Sequence, residues 1–468
     1  MPEKIVMKFG GTSIGNNEMI ENVVSIIKER YKEGADIAIV VSAISDTTDK
    51  LIEITKLVNQ DIKKDISASL HEIKEEHKKI SHEVITDKKT LSEVINEIDS
   101  KFKELNVALE EAESPNKEFL DYIMSFGERL SAPIISGALK SQGISSQHLT
   151  GGEAGIITDK KFGNARPLEN CKNLIADTVL PLLDAGIPVI TGFIGETKEG
   201  DITTLGRGGS DYTASLIGEA INAKEVWIWT DVDGILTCDP KIISDASKLD
   251  KISYKEAMEL SYFGARVIHP KSIEPAIKEN IPVRVKNTRN PKSEGTLIVK
   301  DEERIEGIVK SISVEKDVAL VNISGLGMLG TPGVASDVFN ALAEEDINIL
   351  MFSSGSCDPT ISILVNEKDL KDSVKALESR FGDGTIDNIT HNREIAIITI
   401  VGSGMAGTPG VAGRVFSAVG ESNINIKMIS QGSSEFNISF VVNKEDAEGT
   451  VKSIHKEFGL GELKKQVK

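Results

Sequence analysis

The stretch KFGGTS, Lys8 to Ser13, sets a cation beside two glycines and two hydroxyls. A lysine at the end of a strand, next to exposed backbone N–H groups, is what phosphate handling requires. Alone, the same stretch also reads as a tight turn with a surface lysine. LGRGGSDYTAS, Leu205 to Ser215, is a glycine-rich turn running into a helix start. Arg207 there can fork onto a carboxylate or phosphate and Asp211 sits near the helix N-terminus; a structural turn with a cap is the plainer alternative. SFGERL, Ser125 to Leu130, adds Glu128 and Arg129 at the end of a helical stretch, a pair that by itself reads as a surface ion pair. WTDVDGILTCDPK, Trp229 to Lys241, has the form of a strand end, an Asp turn and a basic residue, placed where ligands sit in parallel sheets. FGARVIHP supplies Arg266, while His269 before a proline reads as a packing residue. The Walker A pattern G-x-x-x-x-G-K-[ST] does not occur.

These stretches need elements to hold them. EKIVMKF (3–9) reads as a strand, followed by a glycine turn, a helix from about Asn17 to Tyr31 and a near-continuous apolar strand DIAIVVSA (36–43). Strand, helix, strand at this spacing argues for a parallel sheet buried on both faces. Residues 50 to 123 turn helical and charged, with Leu91, Ile95, Ile98, Phe102, Leu105 and Leu109 at three- and four-residue steps: a core or subunit contact backed by a solvated face. Buried strands resume at IPVITGFIG (187–195), KEVWIWTD (224–231) and IPVRVKN (281–287), with a helix over about 210–222.

Beyond residue 300 the chain repeats itself. GLGMLGTPGVA (325–335) matches GSGMAGTPGVA (402–412), and DINILMFSSGS (346–356) matches NINIKMISQGS (423–433) at the same offset. Each copy reads as β-α-β-β-α, a small α+β sandwich. Both copies carry G-x-G-x-x-G, the spacing that cradles dinucleotides. The context is wrong for that: Glu345, Asp346 and Glu421 precede the second strand instead of ending it, and Thr331-Pro332 and Thr408-Pro409 read as a cap and a first-turn proline opening a short helix. The glycines are read instead as a repeated effector loop.

The formal charge of −18 disfavours nucleic acid and anionic membrane as partners. No run approaches the roughly 20 apolar residues of a membrane span, and the start, MPEKIVMKFGG, lacks signal-peptide character, so a cytoplasmic location is expected. Cys171, Cys238 and Cys357 are scattered singly, which indicates buried thiols, not disulfides or zinc.

In their order, KFGGTS, VSAISDTT, SFGER, LTGGEAGIITD, TTLGRGGSDYTA, WTDVDGI and FGARVIHP resemble the aspartokinases of the amino-acid kinase superfamily. The resemblance spans nearly the whole chain. It implies an α/β fold: an αβα sandwich with a largely parallel sheet over 1–303, then two ferredoxin-like ACT modules over 304–391 and 392–468, with a strand near 306–314 pairing with the second. It implies transfer of the γ-phosphoryl group of ATP, with Mg2+, to the β-carboxylate of L-aspartate. Carried over by motif, Lys8 and Asp211 are catalytic; Ser42, Thr48, Glu128 and Arg207 bind aspartate, Glu128 through its ammonium and Arg207 through its α-carboxylate. Gly10, Gly11, Thr230, Asp231, Lys241 and Arg266 bind the nucleotide. No protein ligand for Mg2+ is expected.

The paired modules imply feedback inhibition, with Met328, Gly333, Val334, Asn348, Ile349, Ser353 and Ser354 around the effector. Leu350 stands where lysine-sensitive relatives tend to carry an acid, and Asn348, Ser353 and Ser354 suit a hydroxyl, so threonine is the expected inhibitor. A homodimer or dimer of dimers through the modules is expected, and a monofunctional enzyme without a homoserine dehydrogenase domain. The alternatives are another amino-acid kinase on this scaffold, a lysine-inhibited aspartokinase, and a silent amino-acid sensor.

Overall fold

The computed structural model describes residues 2–58, 63–112, 116–262, 268–300, 308–355, 360–381 and 386–461. They divide into two compact units. The first comprises Met1–Ile235, Asp250–Tyr254 and Val267–Asp301; the second comprises Leu236–Leu249, Lys255–Arg266 and Glu302–Lys468. Two segments inside the region expected to be the catalytic domain therefore side with the C-terminal unit. The reason is apolar: Cys238, Ile242 and Ile243 share a core with Ile398, Ile400 and Val451.

In the first unit, strands β1 (Lys4–Phe9), β2 (Asp36–Val41), β3 (Ser146–Leu149), β4 (Ile187–Thr191), β5 (Ile194–Glu196), β6 (Ile202–Thr204), β7 (Glu225–Thr230), β8 (Lys251–Ser253), β9 (Val283–Asn287) and β10 (Thr296–Val299) are interspersed with helices. The helices are α1 (Asn17–Lys32), α2 (Thr47–Val58), α3 (Lys63–Val84), α4 (Lys88–Glu110), α5 (Lys117–Met124), α6 (Phe126–Ser141), α7 (Cys171–Ala185), α8 (Gly209–Ile221), α9 (Tyr254–Tyr262), which begins in this unit, and α10 (Glu274–Glu279). Eight strands form one sheet in the order β3-β4-β2-β1-β7-β9-β10-β8, parallel except where β9 meets β10. The largely parallel α/β sandwich expected from the apolar strand pattern is what forms.

Strand parity decides where the chemistry goes. Ile5, Met7 and Phe9 of β1, with Ile37, Ile39 and Val41 of β2, enter a core with Ile20, Val23 and Ile27 of α1, Ile98 and Phe102 of α4, and Ile134 of α6. Lys8 lies between Met7 and Phe9, so it points to the other face. Helix α8 packs against β1 and carries Asp211 in its first turn. The charged stretch from 50 to 123 joins the same core through Leu51, Ile54, Leu70, Ile73, Ile98 and Phe102, leaving its Lys and Glu outward.

Two expectations need correction here. The strand expected over 187–195 breaks after Thr191, because Phe193 adopts φ 69 and the chain turns against α8 before β5 begins. The SFGERL stretch is not a helix end with a surface pair. It opens α6, and Glu128 and Arg129 are buried, at 3% and 8% exposure.

The second unit holds β11 (Ser311–Glu315), β12 (Val318–Ser324), α11 (Val334–Glu344), β13 (Met351–Ser354), β14 (Thr360–Asn366), α12 (Leu370–Arg380), β15 (Asn388–Asn392), β16 (Ile395–Val401), α13 (Val411–Glu421), β17 (Met428–Ser430), β18 (Asn437–Asn443) and α14 (Ala447–Glu457). Its antiparallel sheets run β13-β14-β12-β15 and β11-β16-β18-β17. Each repeat thus has the β-α-β-β-α order plus a fourth strand, and β11, which precedes the first repeat, pairs with β16 of the second. Val318, Leu320, Met351 and Leu364 of one sheet meet Ile395, Ile397, Met428 and Val441 of the other. The glycine-loop threonines are not caps: Gly333 (φ 96) and Gly410 (φ 85) occupy the N-cap positions, while the Thr331 and Thr408 hydroxyls donate back to the Gly327 and Gly404 carbonyls.

Candidate functional site

β1, β2, β4 and β7 are parallel, so their C-terminal ends open on one edge of the sheet, where ligands of such folds bind. A cleft of about 360 Å³ lies there, lined by Lys8, Thr48, Glu128, Phe193, Arg207 and Asp211 among others. Lys8 Nζ is 2.6 Å from Asp211 Oδ1, with both side chains 12% exposed. The strand parity of Lys8 and the first-turn place of Asp211 produce this pair; the helix N-terminus adds its partial positive charge to that of the lysine.

Glu128 reaches the cleft from the first turn of α6. The first turn of α6 nests on the end of β2 because Gly127 has no side chain; a Cβ there would lie 2.7 Å from that of Ala43. Glu128 Oε1 then accepts the Ala43 N–H at 3.1 Å. Its Oε2 is buried and has no protein partner among the described residues. Burial pushes its pKa up to about 8, against the smaller opposing pull of the Ala43 amide and Lys8. A buried carboxyl on the wall of a cleft with one oxygen unpartnered can take a cation that brings its own charge.

Arg207 stands exposed on the turn between Gly206 (φ 78) and Gly208 (φ 74), whose left-handed backbone suits glycine, and all three line the cleft. Ser42 follows β2, and its hydroxyl donates to that of Ser210, 3.0 Å away. Gly10 and Gly11 follow β1. Gly11 must be glycine, since a Cβ would meet the Ala43 carbonyl at 2.9 Å. The Gly10 N–H donates to the Trp229 carbonyl at 3.3 Å, whereas that of Gly11 has no protein partner among the described residues. Thr230 and Asp231 sit at the end of β7, joined by a 3.2 Å hydroxyl–carboxylate bond. Lys241 belongs to the second unit, with its N–H on Asp239 Oδ1. Arg266 lies outside the described residues.

Motif reading passed over Phe193, whose positive φ at the cleft wall is costly for a bulky residue, and Asp121, which no motif marks. Cys171 and Cys238 are free and buried, and Cys357 lies outside the described residues. Among the described residues, no three His, Cys, Asp or Glu side chains converge as a metal site, and no helix is long and apolar enough to cross a membrane.

In the C-terminal unit the two glycine loops are unequal. In the first, Leu326 and Leu329 are 73% and 55% exposed, with Asn348 and Ser354 exposed nearby and Ser353 half-buried. Val334 is buried in the module core, and Met328 and Ile349 pack against it. In the second, Ser403 and Met405 are buried and the Ser403 N–H is held by Glu256 Oε1 at 2.7 Å. Glu256 also pairs with Lys310 at 2.8 Å, both buried. The duplicated motif is thus open in one copy and sealed in the other.

The amino acid kinase family pattern matches residues 3–287, and the ACT domain pattern matches 321–381 and 398–458. The chain is 33% identical over 467 residues to the bifunctional aspartokinase/homoserine dehydrogenase 2 of Arabidopsis thaliana, covering 97% of this chain and 50% of that protein. It spans about half the length of the bifunctional curated relatives it matches. It is 32% identical to the aspartokinase of Geobacillus stearothermophilus, with 98% of each chain covered. Among solved structures, E. coli aspartokinase III with aspartate and ADP superposes with a TM-score of 0.81 at 27% identity, over 98% of this chain and all (100%) of that one. Its complex with lysine and aspartate gives 0.80 at 28%, over 97% and 99%.

Proposed function

Because this chain belongs to the amino acid kinase family, among the aspartokinases, we propose that it transfers the γ-phosphoryl group of ATP to the β-carboxylate of L-aspartate, giving 4-phospho-L-aspartate and ADP. The observation that carries this reading is the meeting of Lys8, Asp211, Glu128 and Arg207 in one cleft at the C-terminal edge of the sheet. Arg207 takes the α-carboxylate as a bidentate pair and the empty Oε2 of Glu128 takes the α-ammonium. Ser42 and Thr48 complete the aspartate site. The β-carboxylate is ionised at neutral pH and is itself the nucleophile, so no general base is required. What remains is alignment and the spreading of negative charge over the transferring group. Lys8 and the unclaimed Gly11 amide serve that end, and Asp211 holds Lys8 in place. Thr230 and Asp231 lie on the nucleotide side; Lys241 and Arg266 are proposed to join them on sequence grounds. Mg2+ bound with the nucleotide would supply neutralisation of phosphate charge; among the described residues no carboxylate cluster is present to hold it.

Isotope transfer from γ-labelled ATP, run against aspartate, glutamate and acetylglutamate, tests the reading. Labelled acyl phosphate from aspartate is expected. Transfer to glutamate or acetylglutamate alone would move the chain to another amino-acid kinase, and no transfer with retained amino-acid binding would make it a sensor. The open glycine loop of the first module is the proposed effector site. With Leu350 in place of an acid, threonine is the proposed inhibitor; titration with threonine and with lysine decides, and inhibition by lysine alone refutes the assignment. Assembly through the modules, as a dimer or a dimer of dimers, belongs to the same proposal.

A further inference from the structure

A fully buried carboxylate lies one helical segment before the site. Asp121, on α5, has no solvent exposure. Its Oδ2 accepts the Gly163 and Thr204 N–H groups, each at 2.8 Å, and its Oδ1 accepts the Thr204 hydroxyl at 2.7 Å. Gly163 and Thr204 both line the cleft. Thr204 ends β6, three residues before Arg207, and its carbonyl holds the Ala165 N–H at 2.9 Å. Glu128 is fixed to Asp121 from the other direction: the Ser125 N–H donates to the Asp121 carbonyl at 3.0 Å and the Arg129 N–H to that of Ser125 at 3.1 Å, so α5 runs into α6 with little slack. One side chain therefore ties the loop at 159–166 and the turn that carries Arg207 to the helical run that carries Glu128.

We infer that Asp121 is a positioning residue that sets the distance between the two groups reading the α-ammonium and α-carboxylate of the substrate. Fully buried, with three donors already on its two oxygens, it does not reach the substrate, and it acts through Thr204 and Gly163. The inference rests on the function proposed above. Its physical content is that the two readers stand on separate elements, Glu128 in the first turn of α6 and Arg207 on the turn before α8, with no covalent reason to keep their spacing, and displacement of a binding group by about 1 Å costs on the order of a hundredfold. The requirement is for acceptors, not charge. An asparagine oxygen can keep both N–H donors while its NH2 group donates to the Thr204 hydroxyl, which rotates to accept. Alanine removes both acceptor oxygens, and with them all three hydrogen bonds, leaving two N–H groups without that partner.

Steady-state kinetics of the full chain test this, with wild type measured first so that turnover of aspartate judges the proposed function independently. Asp121→Ala is expected to raise KM for aspartate on the order of tenfold to a hundredfold, with KM for ATP within about threefold of wild type, and Asp121→Asn to restore KM for aspartate to within about threefold. Should the alanine variant fail to fold, Thr204→Val, which deletes only the Oδ1 bond, is expected to raise KM for aspartate a few-fold at unchanged KM for ATP. An active wild type with variants that leave KM for aspartate unchanged overturns the inference. So does an equal loss toward both substrates, which marks a general scaffold role, or an asparagine variant as impaired as the alanine one, which marks a charge role.

Discussion

Glu128→Gln separates the two forms of the buried carboxyl. With its pKa near 8, Glu128 in the ligand-free protein is mostly protonated at pH 7. The aspartate ammonium requires the ionised form, so binding at pH 7 releases about 0.9 proton, and KM for aspartate rises about tenfold for each pH unit below 8. Stability runs the other way. Because the folded pKa lies above that of the unfolded chain, the stability Glu128 contributes is complete below pH 4.5 and is lost as pH rises through about 8, a total of about 5 kcal/mol. Glutamine mimics the protonated carboxyl at every pH. Glu128→Gln should match wild-type thermal stability at pH 5, exceed it at pH 9, release no proton on binding, and lose aspartate affinity by about 2–5 kcal/mol through loss of the charge partner. Calorimetric titration with aspartate in buffers of different ionisation enthalpy reads the proton release, and scanning calorimetry reads the stability. Wild-type binding without proton release at pH 7, together with a KM flat between pH 6.5 and 8, would refute the argument.

His77 and Glu256 carry further expectations. His77 on α3 is fully buried, with Nδ1 on the Ile73 carbonyl at 2.8 Å and Nε2 without a partner among the described residues, and burial lowers its pKa to about 4. The protein should lose about 3 kcal/mol as pH falls from 6.5 to 4, and His77→Leu should flatten that acid limb in thermal denaturation; superimposable limbs would exclude the assignment. Glu256→Ala strands Lys310 and the Ser403 N–H in the interior and should cost about 3–5 kcal/mol, whereas Glu256→Met with Lys310→Met should cost far less. Urea denaturation of the single and double variants compares them, and equal losses would show that pairing is not what the buried charges require.

Much of the site was legible because local chemistry writes it locally. A lysine before paired glycines, an arginine between glycines and an aspartate in a first helical turn need only a strand end or a helix start to arrive at one cleft. Glu128 was named through its motif, but SFGERL taken alone reads as a surface ion pair, because neighbouring residues do not reveal that Gly127 lets its helix press onto Ala43 and bury the carboxyl. The duplication was equally plain in the chain, yet identical glycine spacing does not reveal that one loop is exposed and the other sealed. What distinguishes the copies is Glu256, which meets Ser403 from 147 residues away.

The amino-acid order by itself determined the parallel α/β layer, the repeated β-α-β-β-α modules and the residue types at the cleft, since these follow from strand alternation, helical periodicity and turn chemistry within short windows. Tertiary structure alone decided which carboxyl is buried and protonated, which of two like loops stays open, and that residues 236–249 join the second unit. It also decided that Asp121, unmarked by any motif, holds the Arg207 turn. Each of these is a question of desolvation or of a hydrogen-bond partner far away in sequence. Such partners exist only once the chain has closed on itself.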